Sequence, residues 1–217
     1  MPTETWVANN RTEAPKKTDK ALTWIKKNRE TFIGSIAILL AVVVFSVYFF
    51  LHYRTLRDTA WKNLFVAQQV SYSGDIPQAL NLLSQVETTY AGTSARPYAI
   101  LTKGDMLFAQ GRFDEAGAEY TKLLPSKNLG MFAAYNLGKS KEAAGDLAGA
   151  QAQYSDVLAK YPDHFLTPEA HYSLARAQEL SGAKDAARTT CEKIVLLYPE
   201  TSWAAQSKAR LEGPAKK

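Results

Sequence analysis

The sequence predicts an all-α protein: a single N-terminal transmembrane helix followed by an α-solenoid of about four helical hairpins and a capping helix. The first observation is a repeat, because four glycines lie 37, 34 and 37 residues apart and each is followed five residues later by an alanine. The second is an uncharged run of twenty residues from Phe32 to Leu51. Self-similarity at this period indicates stacked hairpins, since one hairpin cannot bury its own apolar face. The glycines are Gly74, Gly111, Gly145 and Gly182, and the alanines are Ala79, Ala116, Ala150 and Ala187.

Each repeat is expected to hold two amphipathic helices, called helix A and helix B. The glycine ends helix A, because a left-handed backbone conformation costs little without a Cβ atom. A small residue stands seven positions before each glycine and allows the two helix axes to approach closely. The residue nine positions after the glycine lies on the same side of helix B as the alanine. The small residues are Ala67, Gly104, Gly138 and Ala175, and those nine positions after the glycines are Leu83, Tyr120, Tyr154 and Cys191.

The repeat spacing also predicts where the helices begin and end. We expect one helix from about Ala21 through the apolar run to about Ser73, because no proline interrupts this stretch. Its last part is expected to be helix A of the first repeat. Glu212 stands where Ala175 would recur, so the last helix is expected to cap the stack. The helices after Ser73 are expected at about 75–90, 94–110, 112–124, 128–144, 146–160, 167–181, 183–198 and 202–212.

The uncharged run is long enough to cross a bilayer. Twenty helical residues span about 30 Å, which is the thickness of the hydrocarbon core. A buried core helix is the alternative, but the rest of the chain offers nothing to surround such a helix on all sides. The run is too long for a cleaved signal peptide and no A-x-A site follows it. We therefore expect an uncleaved signal anchor.

The charges that flank the run predict its orientation. Residues 1–31 contain seven Lys and Arg residues, whereas the twenty residues after the run contain three. The positive-inside rule therefore places the N-terminus in the cytoplasm and the repeats on the far side of the membrane. The chain is expected to comprise a disordered cytoplasmic tail at 1–19, a basic flank and transmembrane helix at 20–57, a repeat domain at 58–212 and a frayed C-terminus at 213–217.

Composition and motifs give no sign of catalysis, of a metal site or of nucleic-acid binding. Residues 1–31 hold seven basic and four acidic residues, and thus +3 of the net charge of +5, so the repeats are near neutral. The three histidines form no H-E-x-x-H motif, and no G-x-S-x-G motif is present. Cys191 is expected to be a buried small hydrophobe. We therefore expect no enzymatic activity, no cofactor and no nucleic-acid partner.

The repeat resembles the tetratricopeptide repeat (TPR) family. The match rests on a small residue, glycine, alanine, aromatic residue and proline at fixed offsets over about residues 58–212. In the third repeat, Asn136-Leu137-Gly138 is similar to the family's leucine–glycine pair. The family's tryptophan position departs from the pattern and holds Asn63, Ile100, Ala134 and His171. The resemblance implies a protein-binding domain whose helices A line a concave groove.

In this family, side chains at the second, fifth, ninth and twelfth positions of the repeat contact the ligand. The resemblance implies that the residues at the same positions of each repeat bind a ligand here. The binding residues expected are Trp61, Tyr98 and Phe132 at the second position, Leu64, Leu101, Tyr135 and Tyr172 at the fifth, Asp105, Lys139 and Arg176 at the ninth, and Phe108 at the twelfth. The twelfth position of the other repeats holds Ser71, Glu142 and Glu179. Such a groove suits an extended or helical polypeptide. The alternatives are that these aromatic residues pack between neighbouring helices A, or that the C-terminal segment fills the groove.

The layout of a short basic tail, one membrane helix and an exported four-repeat domain resembles the YfgM-like ancillary SecYEG translocon subunit family. The resemblance implies a bacterial inner membrane location with a periplasmic repeat domain. It implies as partners translocon subunits, a membrane-anchored periplasmic chaperone and exported chains. The alternative is a TPR scaffold of another cell-envelope complex, such as the outer-membrane assembly, Tol-Pal or division machinery. The Tyr-Pro repeat endings, as in Tyr198-Pro199, are similar to those of such proteins.

Overall fold

The computed structural model describes residues 17–212, and within this range it is helical without strands. The predicted disordered tail and frayed C-terminus lie outside the described residues, apart from residues 17–19, which begin the first helix. The chain divides into two compact units, with the boundary between Arg54 and Thr55. The helices are α1 (Lys17–Lys27), α2 (Arg29–Tyr72), α3 (Ile76–Thr89), α4 (Arg96–Ala109), α5 (Phe113–Leu123), α6 (Gly130–Ala143), α7 (Leu147–Lys160), α8 (Thr167–Leu180), α9 (Lys184–Leu197) and α10 (Ser202–Glu212).

The apolar run lies in α2, the longest helix described. Its side chains from Phe32 to Leu51 are almost all exposed, and no residue of its most apolar window is buried. Among the described residues, α2 is the one helix long and apolar enough to cross a membrane, and the mean hydropathy of its most apolar 18-residue window is 2.6. The predicted continuous helix is confirmed from Arg29 to Tyr72, whereas upstream of it a turn at Asn28 separates α1 from α2.

The repeat unit consists of alternating helices A and B. Helices A are the end of α2, α4, α6 and α8; helices B are α3, α5, α7 and α9; and α10 packs against both α9 and α8. From α3 onward every helix begins and ends within two residues of its predicted bounds. The four turn glycines have φ values of 91°, 75°, 86° and 85°, which confirms the left-handed conformation expected after each helix A. The solenoid is thus built as its sequence repeat predicts.

In the second and third repeats a glycine of helix A faces a tyrosine of helix B. A Cβ atom on Gly104 would lie 2.6 Å from Tyr120 Cε1, and one on Gly138 would lie 2.6 Å from Tyr154 Cε1. The first repeat instead combines Ala67 with a leucine in one core cluster. A larger residue in helix B is therefore matched by a smaller one in helix A, which keeps the interior closely packed.

An ionic network joins the first two repeats. Lys103 of α4 contacts Glu87 of α3 at 3.4 Å and Glu119 of α5 at 2.8 Å. Lys122 of α5 contacts the same two carboxylates, at 2.8 Å and 2.7 Å. Because each charge has two partners of opposite sign, the network fixes three consecutive helices more firmly than isolated surface pairs would.

Candidate protein-binding groove

The residues expected to bind a partner lie on helices A, and we call the surface that they form the helix-A face. The structure divides them by exposure. Trp61 and Tyr98 are 39% and 40% exposed, and Asp105 is exposed as well. Leu64, by contrast, is buried in the core cluster of the first repeat. Those with intermediate exposure are Leu101, Phe108, Phe132, Lys139 and Arg176, and those that are buried are Leu64, Tyr135 and Tyr172.

Two buried tyrosines of helices A pack against the next helix along the helix-A face. Tyr135 of α6 donates a hydrogen bond to Glu169 Oε1 of α8 at 2.8 Å, and its burial raises the pKa of the phenol, so the hydroxyl stays a donor. Tyr172 of α8 lies against Trp203 of α10, with 5.0 Å between ring centroids. Arg210 of α10 donates to the Tyr172 hydroxyl at 3.1 Å. Tyr135 and Tyr172 therefore pack between helices, which was the alternative to their lining an open binding surface.

Exposed aromatic side chains gather at the start of the helices A. Trp61 and Tyr98 lie with their ring centroids 5.2 Å apart, and Trp61 Nε1 donates to Ser94 Oγ at 3.2 Å. Phe132 lies 6.0 Å from Phe165, which is 72% exposed. Phe165 belongs to the turn between α7 and α8, so the repeat phase did not identify it. The sequence marks Phe165 only as an apolar residue in the turn that follows Tyr161-Pro162.

Further along the helix-A face, ion pairs join successive helices A. Arg176 of α8 donates through Nε and an Nη atom to Glu142 of α6, at 2.6 Å and 2.9 Å. Tyr154 of α7 donates to the same carboxylate at 2.9 Å, and burial together with the Glu142 charge raises the pKa of this phenol. Glu179 of α8 pairs with Arg210 of α10 through one contact. The bidentate Arg176–Glu142 pair is the strong kind of charged hydrogen bond.

A small cavity opens between the second and third repeats. It measures about 210 Å³ and is lined by Asp105 and Phe108 of α4, Tyr120 of α5, and Asn136 and Lys139 of α6. Asp105 Oδ1 accepts hydrogen bonds from the Tyr120 hydroxyl at 2.7 Å and from Asn136 Nδ2 at 3.3 Å. Desolvation raises the pKa of Asp105, although the Tyr120 bond and the Lys139 charge oppose this. Lys139 Nζ lies 5.4 Å from the Phe108 ring centroid.

Other chemistry-bearing groups are built into the core. Cys191 is buried as expected, and burial raises the pKa of its thiol, which disfavours the reactive thiolate. His171 is also buried, and burial and the Lys193 charge lower its pKa to about 4, so the ring is neutral near pH 7. Among the described residues, no group of three His, Cys, Asp or Glu side chains is placed to hold a metal ion.

The stacked A–B hairpins and the helix-lined face define an α-solenoid of the kind that serves as a scaffold for protein–protein interactions. The chain belongs to the tetratricopeptide repeat family, because a model of that family matches residues 70–129 and 135–201. TPR domains bind other proteins and are in general not enzymes. A comparison with curated protein sequences found no match.

Solved structures share the fold. MamA from Desulfovibrio magneticus RS-1 superposes with a TM-score of 0.57 at 20% identity, over 71% of this chain and 82% of MamA. A tetratricopeptide repeat protein from Parabacteroides merdae superposes with a TM-score of 0.60 at 19% identity, over 71% of this chain and 59% of that protein. At these identities the comparison concerns the fold alone.

Proposed function

We propose that the chain is a membrane-anchored scaffold whose repeat domain lies in the periplasm and binds other proteins through the helix-A face. The observation that carries this proposal is the combination of an apolar run without buried residues with a TPR unit in the same chain. A long apolar surface without a protein partner is stable in lipid and not in water. The excess of basic residues before the run supports a cytoplasmic N-terminus.

The binding residues proposed are those of the helix-A face that remain accessible. Exposed aromatic rings are the side chains most enriched in binding hot spots, and they stand at the start of the repeats. The proposed contact residues are Trp61, Tyr98, Leu101, Asp105, Phe108, Phe132, Lys139 and Arg176, together with Phe165. Leu64, Tyr135 and Tyr172 are buried and are not proposed as contact residues.

We propose further that this scaffold is an ancillary subunit of the SecYEG translocon. In this role it holds its repeat domain near the exit of the translocon and assists a membrane-anchored periplasmic chaperone in receiving exported chains. The support is the resemblance in layout to the YfgM-like family. A scaffold for another envelope complex, such as Tol-Pal, the outer-membrane assembly machinery or the division machinery, is the second candidate, favoured by the Tyr-Pro repeat endings.

Site-specific photo-crosslinking in intact membranes tests both parts of the proposal. A photoreactive amino acid replaces Tyr98, which is exposed on the helix-A face, or Phe165, which is exposed in the turn before α8. The matched control replaces Leu196, which is 78% exposed on the helix B α9. We expect the first two positions to capture translocon subunits, a membrane-bound chaperone or nascent exported chains, and the control to capture none of them. Capture of division or outer-membrane assembly proteins alone would refute the translocon role.

The orientation has its own test. A reporter fused after the repeat domain, active in the periplasm and inactive in the cytoplasm, is expected to be active. If that reporter is inactive, and a second reporter that works only in the cytoplasm is active at the same fusion point, the proposed topology and the periplasmic role are wrong.

A further inference from the structure

A larger cavity lies between the third and fourth repeats, apart from the residues proposed to contact a protein partner. It measures about 420 Å³ and is lined by side chains of α7, α8 and α9 and of the segments that directly follow α7 and α9. This volume falls in the range of about 300–1,000 Å³ that is typical of small-molecule sites. None of the proposed contact residues of the helix-A face lines it.

Apolar side chains form much of the wall of this cavity. Leu158 of α7, Leu174 of α8 and Leu197 of α9 line it, together with Tyr198 at the end of α9. Leu197 is 51% exposed, so part of this apolar lining faces solvent. An apolar group that entered the cavity would remove this surface from water, which is favourable.

One buried polar side chain in the lining lacks a hydrogen-bond partner. His171 of α8 is 5% exposed, and its Nδ1 atom is buried without a partner. The low pKa of His171 keeps the ring neutral near pH 7, so the ring carries one N–H donor. The repeat does not require a histidine here, because the same position holds Ile100 in the second repeat and Ala134 in the third. A buried nitrogen without a partner is unfavourable, and the packing of the repeat does not explain it.

The lining carries a positive charge and, among the described residues, no acidic side chain. Lys193 of α9 supplies this charge, which lies near enough to the imidazole to lower its pKa. The two threonines of the lining already use their hydroxyl protons. Thr167 Oγ1 donates to the Tyr161 carbonyl at 2.9 Å. Thr190 Oγ1 donates to Gln178 Oε1 at 2.8 Å. The lysine and the histidine are therefore the nitrogen donors that the cavity offers to a ligand.

We propose that this cavity binds a free fatty acid, whose carboxylate accepts hydrogen bonds from Lys193 and from the His171 ring and whose alkyl chain lies against the leucines of the wall. The carboxylate supplies the negative charge that the lining lacks and an acceptor for the imidazole N–H. The alkyl chain covers the apolar wall, which a small inorganic anion would leave exposed. This site takes a small molecule and lies outside the helix-A face, so it goes beyond the proposed binding of proteins.

Nuclear magnetic resonance of the full-length protein in lipid nanodiscs tests this site. The histidines carry a ¹³C label, and the chain has three of them, so replacing His52 or His164 in turn assigns the signals. The protein is titrated with octanoate, and 1-octanol is the uncharged ligand of equal chain length. A parallel titration of empty nanodiscs measures how much of each ligand enters the lipid.

Two variants separate the charge from the apolar wall. Lys193→Met removes the ammonium group and keeps an apolar stem. Lys208→Met is the matched control, because this lysine is exposed on α10 and does not line the cavity.

We expect octanoate to shift the His171 signal until the site is saturated and to leave the signals of His52 and His164 unchanged. Lys193→Met is expected to weaken octanoate binding about tenfold, because one charge-assisted hydrogen bond is lost, and Lys208→Met is expected to leave it unchanged. Octanol is expected to bind the wild type about tenfold more weakly than octanoate for the same reason. Hexanoate is also expected to bind about tenfold more weakly, since two fewer methylene groups are buried.

Three results would overturn the assignment. A His171 signal that octanoate does not shift, or shifts without saturation, means that the cavity holds no fatty acid. Equal affinities for octanol and octanoate mean that the site does not recognise the carboxylate. An octanoate affinity that Lys193→Met leaves unchanged means that the charge of this cavity has no part in binding.

Discussion

The contact between Gly138 and Tyr154 makes a sharp prediction about stability. In Gly138→Ala the new Cβ would lie 2.6 Å from Tyr154 Cε1 and 2.8 Å from Cδ1, well inside van der Waals distance. The ring cannot move aside easily, because it is fully buried and its hydroxyl donates to Glu142 at 2.9 Å. The same carboxylate holds Arg176, so a shift of the ring would disturb the pairing between the third and fourth repeats.

The expected magnitude follows from two opposing effects. Overpacking of a closed core costs about 1–3 kcal/mol. Alanine in place of glycine within a helix returns about 1 kcal/mol through helix propensity. We therefore expect a net loss of about 1–2 kcal/mol in the free energy of unfolding, because the steric cost exceeds the gain in propensity.

Urea denaturation of the full-length protein in detergent micelles, followed by circular dichroism, measures this loss. Gly92→Ala is the matched control, since its new Cβ meets nothing within 4 Å. The double variant Gly138→Ala with Tyr154→Leu reproduces the alanine–leucine combination of the first repeat. Its loss in unfolding free energy should be about 1 kcal/mol smaller than the sum of the losses in the two single variants. Unchanged or increased stability of Gly138→Ala would refute the reasoning, because propensity would then outweigh packing.

Three further predictions concern charged and titratable groups. Glu142→Gln is expected to lower the free energy of unfolding by about 1–2 kcal/mol, because the half-buried guanidinium that it binds loses its counter-ion. Glu87→Gln is expected to cost about 0.5–1 kcal/mol at neutral pH, since it breaks two pairs of the ionic network, one of them to the well-exposed Lys122. His171 has a folded-state pKa of about 4 against an ordinary value of 6.5, so the stability that it contributes is present above pH 6.5 and is lost as the pH falls towards 4. His171→Ile should flatten the dependence of the unfolding free energy on pH over this window.

A specific measured outcome would contradict each of these three predictions. Glu115→Gln removes a carboxylate from the exposed Arg112–Glu115 pair at the start of α5 and serves as the control for Glu142→Gln. An equal loss of unfolding free energy in the two variants would show that Glu142 contributes no more than an exposed ion pair. An unfolding free energy unaffected by Glu87→Gln would mean that the network adds nothing beyond single surface pairs. For His171→Ile, a slope between pH 6.5 and 4 equal to that of the wild type would show that the buried ring is not its source.

Local features of the sequence determined the helices. The glycine that ends each helix A needs a left-handed backbone, and its spacing from the small residue and the alanine is set within one hairpin. Those constraints act over fewer than about fifteen residues and are readable as periodicity. For the same reason the uncharged run from Phe32 to Leu51 predicted a membrane-crossing helix, because apolar length alone decides whether a helix can span a bilayer.

The state of each residue on the helix-A face depended on contacts between repeats. Tyr98 and Tyr135 are both aromatic residues at face positions, yet Tyr98 is 40% exposed and Tyr135 is buried against Glu169, which lies 34 residues further on. The position of a residue within its repeat assigns the side chain to a face. The exposure of that side chain depends on the neighbouring helix, whose side chains vary from repeat to repeat. The repeat positions considered lie on helices A, so they did not include Phe165, which lies in a turn.

The sequence by itself thus determined the repeat, the bounds of the helices, the apolar run and the family to which the chain is similar, because each is written in local spacing. The tertiary structure alone decided which charges pair. Glu142 pairs with Arg176, whereas Lys139 lies over the rings of Phe108 and Tyr135. These partners are brought together by the stacking of separate hairpins, so no local pattern shows which partner a charged side chain meets.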